Sequence, residues 1–374
     1  MASSRRQADV IVIGGGIHGC SAALELARRG LSVILIEKDY VARHASGVNA
    51  GGVRRLGRDV AELSLSHLAW ELWQDMPSLV GDRCGFEVSG QVKVARSDQE
   101  LDAARQRVAT LKGLGFEHEV IVDSETVREL LPASSPDCIG AIYVAGDGHA
   151  QPFRTTVAFA TRARALGVDI LEGTKAGRIA QRNGNWHIET GRGVFEAPTI
   201  VNAAGAWAGE VSGQLGETIP LVAHAPMLAI SNRLPPFVKP VVGALGSPLS
   251  FKQFENGTVL IGGGVRGTAY PDENRTSLDF AGMRSFLNTA RSIFPIMSEA
   301  LIVRSWAGIE AYMPDNVPVL GPGRQAGVFH SFGYSAHGFQ LGPASGRVIA
   351  EMVMGEALSA SIEVLAPSRF SEVV

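Results

Sequence analysis

The sequence predicts an α/β fold in which a parallel βαβ domain is interleaved with an α+β domain built on a mixed, largely antiparallel sheet. Three observations carry this expectation. Near the start, an apolar run, a glycine-rich turn, a helical repeat and a second apolar run follow one another in quick succession, the form of a parallel βαβ unit. Further on, the texture changes twice to short alternating strands and turns. After each change, buried runs that end in glycines or small residues return, so each domain is assembled from separated segments.

The elements follow in order. "DVIVI" at 9–13 is β-branched and apolar on both faces, as a fully buried strand requires. Apolar residues then recur at helical spacing from Ile17 to Arg29 until Gly30 stops the helix, and "SVILIE" at 32–37 forms the second strand. Between 86 and 145 come a strand ("FEVSGQVKVA"), a charged helix at 98–113, a strand ("EHEVIV") and a short helix ending at Pro132. A helix opening on Pro152 and closing at Gly167 leads into "VDILEG", a strand pair around Asn183-Gly184 and the buried strand "TIVNAAGA" at 199–206. Residues 219–310 return to strands, with a hairpin at Asn256-Gly257 and a helix near 279–293; "GVFHSFGY" and a helix from about 342 to 354 complete the chain. The parallel domain therefore takes 1–85, 146–218 and 320–374, and the second domain 86–145 and 219–319.

Composition narrows the function. The chain has 374 residues, 45% of them hydrophobic, and a formal charge of −3, with Lys and Arg scattered rather than clustered. That balance leaves no electrostatic footprint for nucleic acid or an anionic membrane. No uncharged apolar run reaches the roughly 18 residues of a membrane span, and the apolar run near the start ends in glycines, unlike a signal peptide. Cys20, Cys84 and Cys138 lie far apart with no CxxC pair, so neither a disulfide framework nor a metal or iron–sulfur site is expected, and a cytoplasmic location fits.

The strongest chemical signal is Gly14-Gly15-Gly16-Ile17-His18-Gly19, a GxGxxG run between the first strand and helix. Gly14 permits a tight turn, Gly16 lets the backbone approach a pyrophosphate, and Gly19 allows close helix–strand packing, while the helix N-terminus offers N–H donors. Glu37 ends the second strand, where a carboxylate can accept from both ribose hydroxyls. A dinucleotide is the expected cofactor. FAD is favoured over NAD by three segments: "RHASGVNAGGVRR" (43–55), whose small residues let an extended ligand lie along the backbone, "TIVNAAGAWAG" (199–209), and "FGYSAHGFQLGPASG" (332–346), a turn into a helix N-terminus.

Together with "DGHAQPFR" and "WAGIEAYMPDNVPVLGP", these segments, in this order over nearly the whole chain, resemble the D-amino-acid oxidase-like superfamily of FAD-dependent amine oxidoreductases, which includes glycine oxidase and sarcosine oxidase. The resemblance implies a Rossmann-like FAD-binding domain beside a substrate domain. It also implies that Ile17, His18, Glu37, Lys38, Ala45, Ser46, Ala50, Gly51, Gly52 and Ala176 line the adenosine and pyrophosphate path. Ala204, Gly205, Trp207 and Gly308 join the cofactor site, and Gly333, Tyr334, Ser335, Ala336, His337, Gly338, Phe339 and Gln340 wrap the flavin end. No cysteine lies in or after "WAGIEAYMPD", so the FAD is expected to be non-covalent.

Departures from that pattern bear on the substrate. Glycine oxidase-like members carry an arginine for the substrate carboxylate where this chain has Glu310, and a second where it has Ala336; their glycine-binding tyrosine falls near Ser250. The "GIE" run and the tail "FHSFGYSAHGFQLGP" are more similar to the B subunits of opine oxidases and to sarcosine oxidase β-type subunits. The expected reaction is oxidation of the C–N bond of a secondary amine or N-substituted amino acid, with a hetero-oligomeric electron-transfer partner implied. Two alternatives remain open: a glycine or D-amino acid oxidase with a rebuilt carboxylate site, and a non-catalytic FAD-binding subunit. Glu310 either faces the substrate or bonds a backbone turn. Lys252 and His337 are the other catalytic candidates. Arg54 and Arg55 are candidate carboxylate anchors, with Ser250, Tyr334 and Ala336 beside the substrate.

Overall fold

The computed structural model describes residues 5–370. Its first sheet has the strand order Val319–Pro322, Val328–Phe332, Thr199–Asn202, Val10–Ile13, Val33–Ile36, Asp169–Leu171, parallel except for the pair Val319–Pro322/Val328–Phe332. Successive side chains on these strands point to opposite faces. Val10, Val12, Val33 and Leu35 enter a core with the helices Ile17–Arg28, Leu63–Gln74, Pro152–Ala165 and Gly338–Met354. Ile11, Ile13, Ile34 and Ile36 enter a second core that includes Trp186, Ile188 and Phe195 of a smaller four-stranded sheet. Both faces are covered, which is why the strands read as continuous apolar runs.

The other large sheet is mixed. Gln91–Ala95 pairs antiparallel with Gly140–Val144 and parallel with Val241–Ala244, so the segment 91–144 and the segment beginning at Val222 share one sheet. Strand Val222–Arg233 is long enough to pair with Thr258–Gly262, Arg266–Tyr270, Ile302–Ala307 and Glu310–Tyr312 along its length. One face of this sheet (Val92, Val94, Val242, Phe251, Ile261) packs on helix Phe280–Ile293. The opposite face carries Gln91, Lys93, Gly243 and Ser250 toward a cavity shared with the first sheet.

Several boundaries differ from expectation, among them the strand expected at 117–122, which covers Val120–Asp123. The strand expected over 86–95 covers Gln91–Ala95, because Gly90 turns the chain at φ +80° and Glu87 makes a lone bridge with His149. The strand expected over 199–206 stops at Asn202, after which the backbone turns at Gly205 (φ +54°). The last helix starts at Gly338 rather than near 342. Pro343 lies inside this helix near its start, where it removes a single backbone donor.

Replacing the fully buried Phe286 with Ala would leave a void between helix Phe280–Ile293 and its sheet. Denaturant unfolding should register a loss of about 3 kcal/mol or more.

Candidate functional site

Strand Val10–Ile13 ends at Gly14, whose φ of +115° favours glycine, and helix Ile17–Arg28 begins after Gly16. A Cβ on Gly19 would collide with the Gly14 carbonyl oxygen, so helix and strand meet only because Gly19 has no side chain. Glu37, at the end of the neighbouring strand, is buried against this turn. Its Oε2 accepts from the Gly15 N–H at 2.6 Å and its Oε1 from the Asp39 N–H at 2.7 Å. Burial pushes its carboxyl above the usual range, while the two backbone donors pull it back. The Ile17 N–H donates to Ser46 Oγ at 2.9 Å, which fastens the small-residue segment 45–52 over the helix N-terminus. Lys38 Nζ lies 3.9 Å from the centre of the Trp207 ring and donates to Asn274 Oδ1 at 2.9 Å.

The turn after strand Val328–Phe332 packs directly against this cradle at the cavity. The Tyr334 ring stacks on His18 with centroids 3.6 Å apart and planes 3° from parallel. Its hydroxyl is held by Ser331 and Ser345, each at 2.9 Å. His18 is half-buried, and desolvation of its ring pushes its pKa down to about 3 and keeps it neutral; its Nδ1 is buried with no hydrogen-bond partner among the described residues. Ser335 and Ala336 take left-handed backbone angles (φ +48° and +68°), strained for non-glycine residues and common where a turn serves a site. Glu310 Oε1 accepts from the Ala336 N–H at 2.8 Å. Glu310 is half-buried at the cavity wall, and desolvation pushes its carboxyl up to about 7 against the Ala336 hydrogen bond and the more distant Arg266. Glu310 thus bonds a backbone turn and also lines the cavity.

A third wall is cationic. Arg54, Arg58 and Lys93 line the cavity. A point beside Gly57, where its Cβ would stand, lies 2.6 Å from Lys93 Nζ and 3.7 Å from Arg54 Nη1. Nearby, Arg107 is paired with Glu119 at 2.7 Å and Arg55 with Asp147 at 3.4 Å. Arg54, by contrast, donates to the Leu56 carbonyl at 2.5 Å, and Lys93 has no hydrogen bond or ion pair among the described residues. Burial, with Arg54 and Arg107 adding repulsion, pushes the Lys93 ammonium down to about 8.

One cavity of about 490 Å³ joins the three walls. It is lined by Gly14, Gly16, Ile17, His18, Glu37, Lys38, Ala45, Ser46, Ala50, Gly51, Gly52, Ala176, Ala204, Gly205, Trp207 and Gly308, and from the facing turn by Gly333, Tyr334, Ala336, His337, Gly338 and Phe339. Arg54, Ser250 and Glu310 share it. Five expected residues lie elsewhere. Gly19 serves the helix–strand contact behind the cradle. Arg55 lies outside the cavity that Arg54 lines, and stacks 4.0 Å over Trp70 while pairing with Asp147. Lys252 shares the sheet face of Ser250 but lies beyond the cavity, 4.8 Å over the Phe254 ring; burial pushes its ammonium down to about 7. Ser335 turns its hydroxyl to the Gly333 carbonyl and the Met313 N–H, and Gln340 is fully buried between Arg58 and Ser66.

Lys93 and Arg58 escaped the sequence reading. A signal for Lys93 was present in "QVKVA", where Gln91 and Lys93 alternate with residues that face the core, but only the pairing of Lys93 with Gly243 and of Gly243 with Ser250 places it in the cavity.

Comparison with known proteins bears on what the cavity holds. The model of a family described as "DAO: FAD dependent oxidoreductase" matches residues 9–352. Hydrogen cyanide synthase subunit HcnC of Pseudomonas aeruginosa is 27% identical, the alignment covering 98% of this chain and 97% of that protein. Glycine oxidase of Geobacillus kaustophilus is 26% identical over 92% of both. Among solved structures, L-proline dehydrogenase from P. horikoshii superposes with a TM-score of 0.91 at 26% identity, covering 98% of this chain and 99% of that one.

The raised Glu310 carboxyl has a consequence for stability. Between the ordinary value of 4.5 and about 7 the folded chain holds a proton that the unfolded chain has lost. The contribution of Glu310 to stability therefore falls as pH rises through that window. Thermal unfolding of Glu310→Gln without cofactor should show a weaker decline in Tm from pH 4.5 to 7 than the unsubstituted protein; an identical decline would mean that the group titrates normally.

Proposed function

From its membership of the DAO family of FAD-dependent oxidoreductases, which the match over residues 9–352 establishes, we propose that this chain oxidises the C–N bond of an N-substituted amino acid, a secondary amine bearing at least one carboxylate. The residues present fit FAD: the Gly14–Gly19 turn has no Cβ where a pyrophosphate approaches, Glu37 ends the adjoining strand, and a buried, unpartnered His18 Nδ1 stands in the cavity wall. Bound FAD supplies an acceptor for the hydride that leaves the carbon next to nitrogen. Cys20, Cys84 and Cys138 are free and buried, and none lines the cavity, which supports non-covalent binding and a reducing, cytoplasmic setting.

One observation carries the substrate assignment: a single cavity holds an acid, Glu310, and a close pair of cations beside Gly57, Arg54 and Lys93, that lack carboxylate partners among the described residues. Arg54 and Lys93 take the carboxylate, where an anion relieves the repulsion between them. Glu310 takes the positive or neutral end of the substrate, since a carboxylate brought there would meet a like charge in a poorly screened pocket. Ala336 and Ser250, both small, leave room for the second substituent on nitrogen. The chain thus fixes the two ends of the substrate, and orientation supplies most of what it contributes to the rate. The imine product then hydrolyses to an amine or amino acid and a 2-oxo acid. Two relatives, HcnC and sarcosine oxidase subunit beta, are named as subunits, which supports a partner that carries electrons onward.

Anaerobic mixing of the holoprotein with opines or N-carboxymethyl amino acids should bleach the flavin band. Bleaching by glycine or D-alanine alone would transfer the chain to simple amino acid oxidation, and bleaching by none of them would make it an assembly subunit. Lys93→Met should raise the Michaelis constant by about 10-fold or more, the worth of a charged hydrogen bond, with FAD still bound. Denaturation without proteolysis should release the FAD; flavin retained on the polypeptide would refute non-covalent binding.

A further inference from the structure

Glu62 is completely buried, and neither of its carboxylate oxygens has a hydrogen-bond partner among the described residues. A carboxylate left so is costly, and native structures keep one when something depends on it. Two groups approach its Oε2: Arg58 Nη1 at 3.7 Å and His337 Nδ1 at 3.6 Å. Arg58 is already committed elsewhere, to the carbonyls of Arg54 and His337 and to Gln340 Oε1. The Nδ1 of His337 is likewise buried and unpartnered, while its ring lines the cavity. The two orphans face each other.

We propose that Glu62 and His337 act as a dyad, in which Glu62 is a positioning residue that holds the His337 proton on Nδ1 and so presents a bare Nε2 to the cavity as the acceptor of the substrate's ammonium proton. The inference rests on the amine reading above. A secondary ammonium cannot release a hydride from its neighbouring carbon until nitrogen has a free electron pair. Its N–H bond breaks, the proton passes to His337 Nε2, and the pair left on nitrogen forms the C=N bond as the hydride departs to the acceptor already described. Location favours His337 for this role: it directly follows Ala336, whose N–H holds Glu310, so acceptor and anchor stand at the same end of the cavity. A carboxylate behind an imidazole fixes its tautomer and stabilises the imidazolium that forms.

The charged groups facing His337 are Glu62, Arg54 and Arg58, with Glu310 across Ala336. Burial and the two arginines lower its pKa, and Glu62 raises it. Removing the Glu62 charge should therefore move the acid limb of flavin reduction to lower pH.

The test has two arms on the holoprotein. Long-range ¹⁵N–¹H correlation on the oxidised form, with the His337 signal assigned by its loss in His337→Asn, should show the proton on Nδ1 and its displacement in Glu62→Leu. Anaerobic flavin reduction by the reactive amine should slow about 100-fold in His337→Asn, with the acid limb lost. In Glu62→Gln the limb should persist at lower pH. A proton on Nε2 in the unsubstituted protein, or a Glu62→Gln variant slowed equally at every pH with its limb in place, would overturn the dyad and leave Glu62 a structural residue. If no amine reduces the flavin, the substrate reading fails, and the tautomer spectrum still decides the dyad.

Discussion

The cavity exists because the first helix and the last pack at a separation that only small residues allow. A Cβ on Gly342 would come within 2.7 Å of Ile17, and one on Gly346 within 2.6 Å of the Ala22 nitrogen, so the helices Ile17–Arg28 and Gly338–Met354 touch almost backbone to backbone. Ser21 Oγ donates to the Pro343 carbonyl across that contact at 3.3 Å. Both helices begin at the cavity, and their close packing brings the Gly14–His18 cradle opposite the Gly333–Gly338 turn, more than 300 positions along the chain. The parallel stack of His18 on Tyr334 follows from this approach. Larger side chains at Gly342 or Gly346 would wedge the helices apart and open the cavity from behind.

The same cavity concentrates charge in a place where burial makes charge expensive. Arg107 with Glu119 and Arg55 with Asp147 are paired behind the cavity, whereas Lys93 faces into it with no hydrogen bond or ion pair among the described residues. Lys93 is destabilised as a cation and Glu310 as an anion, and a ligand with complementary ends relieves both. Stability given up by the empty fold is thereby recovered in binding, so the site is poised toward a ligand carrying both signs of charge.

Much of this could be read from local pattern. Doubly buried strands announce themselves as unbroken β-branched runs, and a parallel βαβ unit with GxGxxG and a terminal acid constrains its own geometry within a few residues. Asn183 and Gly184, at φ +51° and +80°, form the tight turn that their identity demands. Glu310 also stood out from sequence, as a carboxylate where glycine oxidase-like members carry an arginine, and the structure gives it both a backbone donor and a place in the cavity wall.

What local pattern could not decide was which charged side chain faces in. Arg54 and Arg55 are adjacent and chemically equal, yet Arg54 lines the cavity while Arg55 stacks on Trp70 and pairs with Asp147, partners supplied by distant segments. Lys252 and Lys93 both lie on the cavity side of the mixed sheet, but only the register that sets Lys93 beside Gly243 and Ser250 puts its ammonium in the cavity. Glu62 carries no signal in its own segment; its meaning comes from His337, which the packing of the last helix against Leu63–Gln74 sets beside it. The sequence by itself determined the parallel unit, the cradle and the odd carboxylate, because each depends on neighbours a few positions away. Tertiary structure alone decided the cationic wall and the buried dyad, because those depend on strand register and helix packing between segments far apart in the chain.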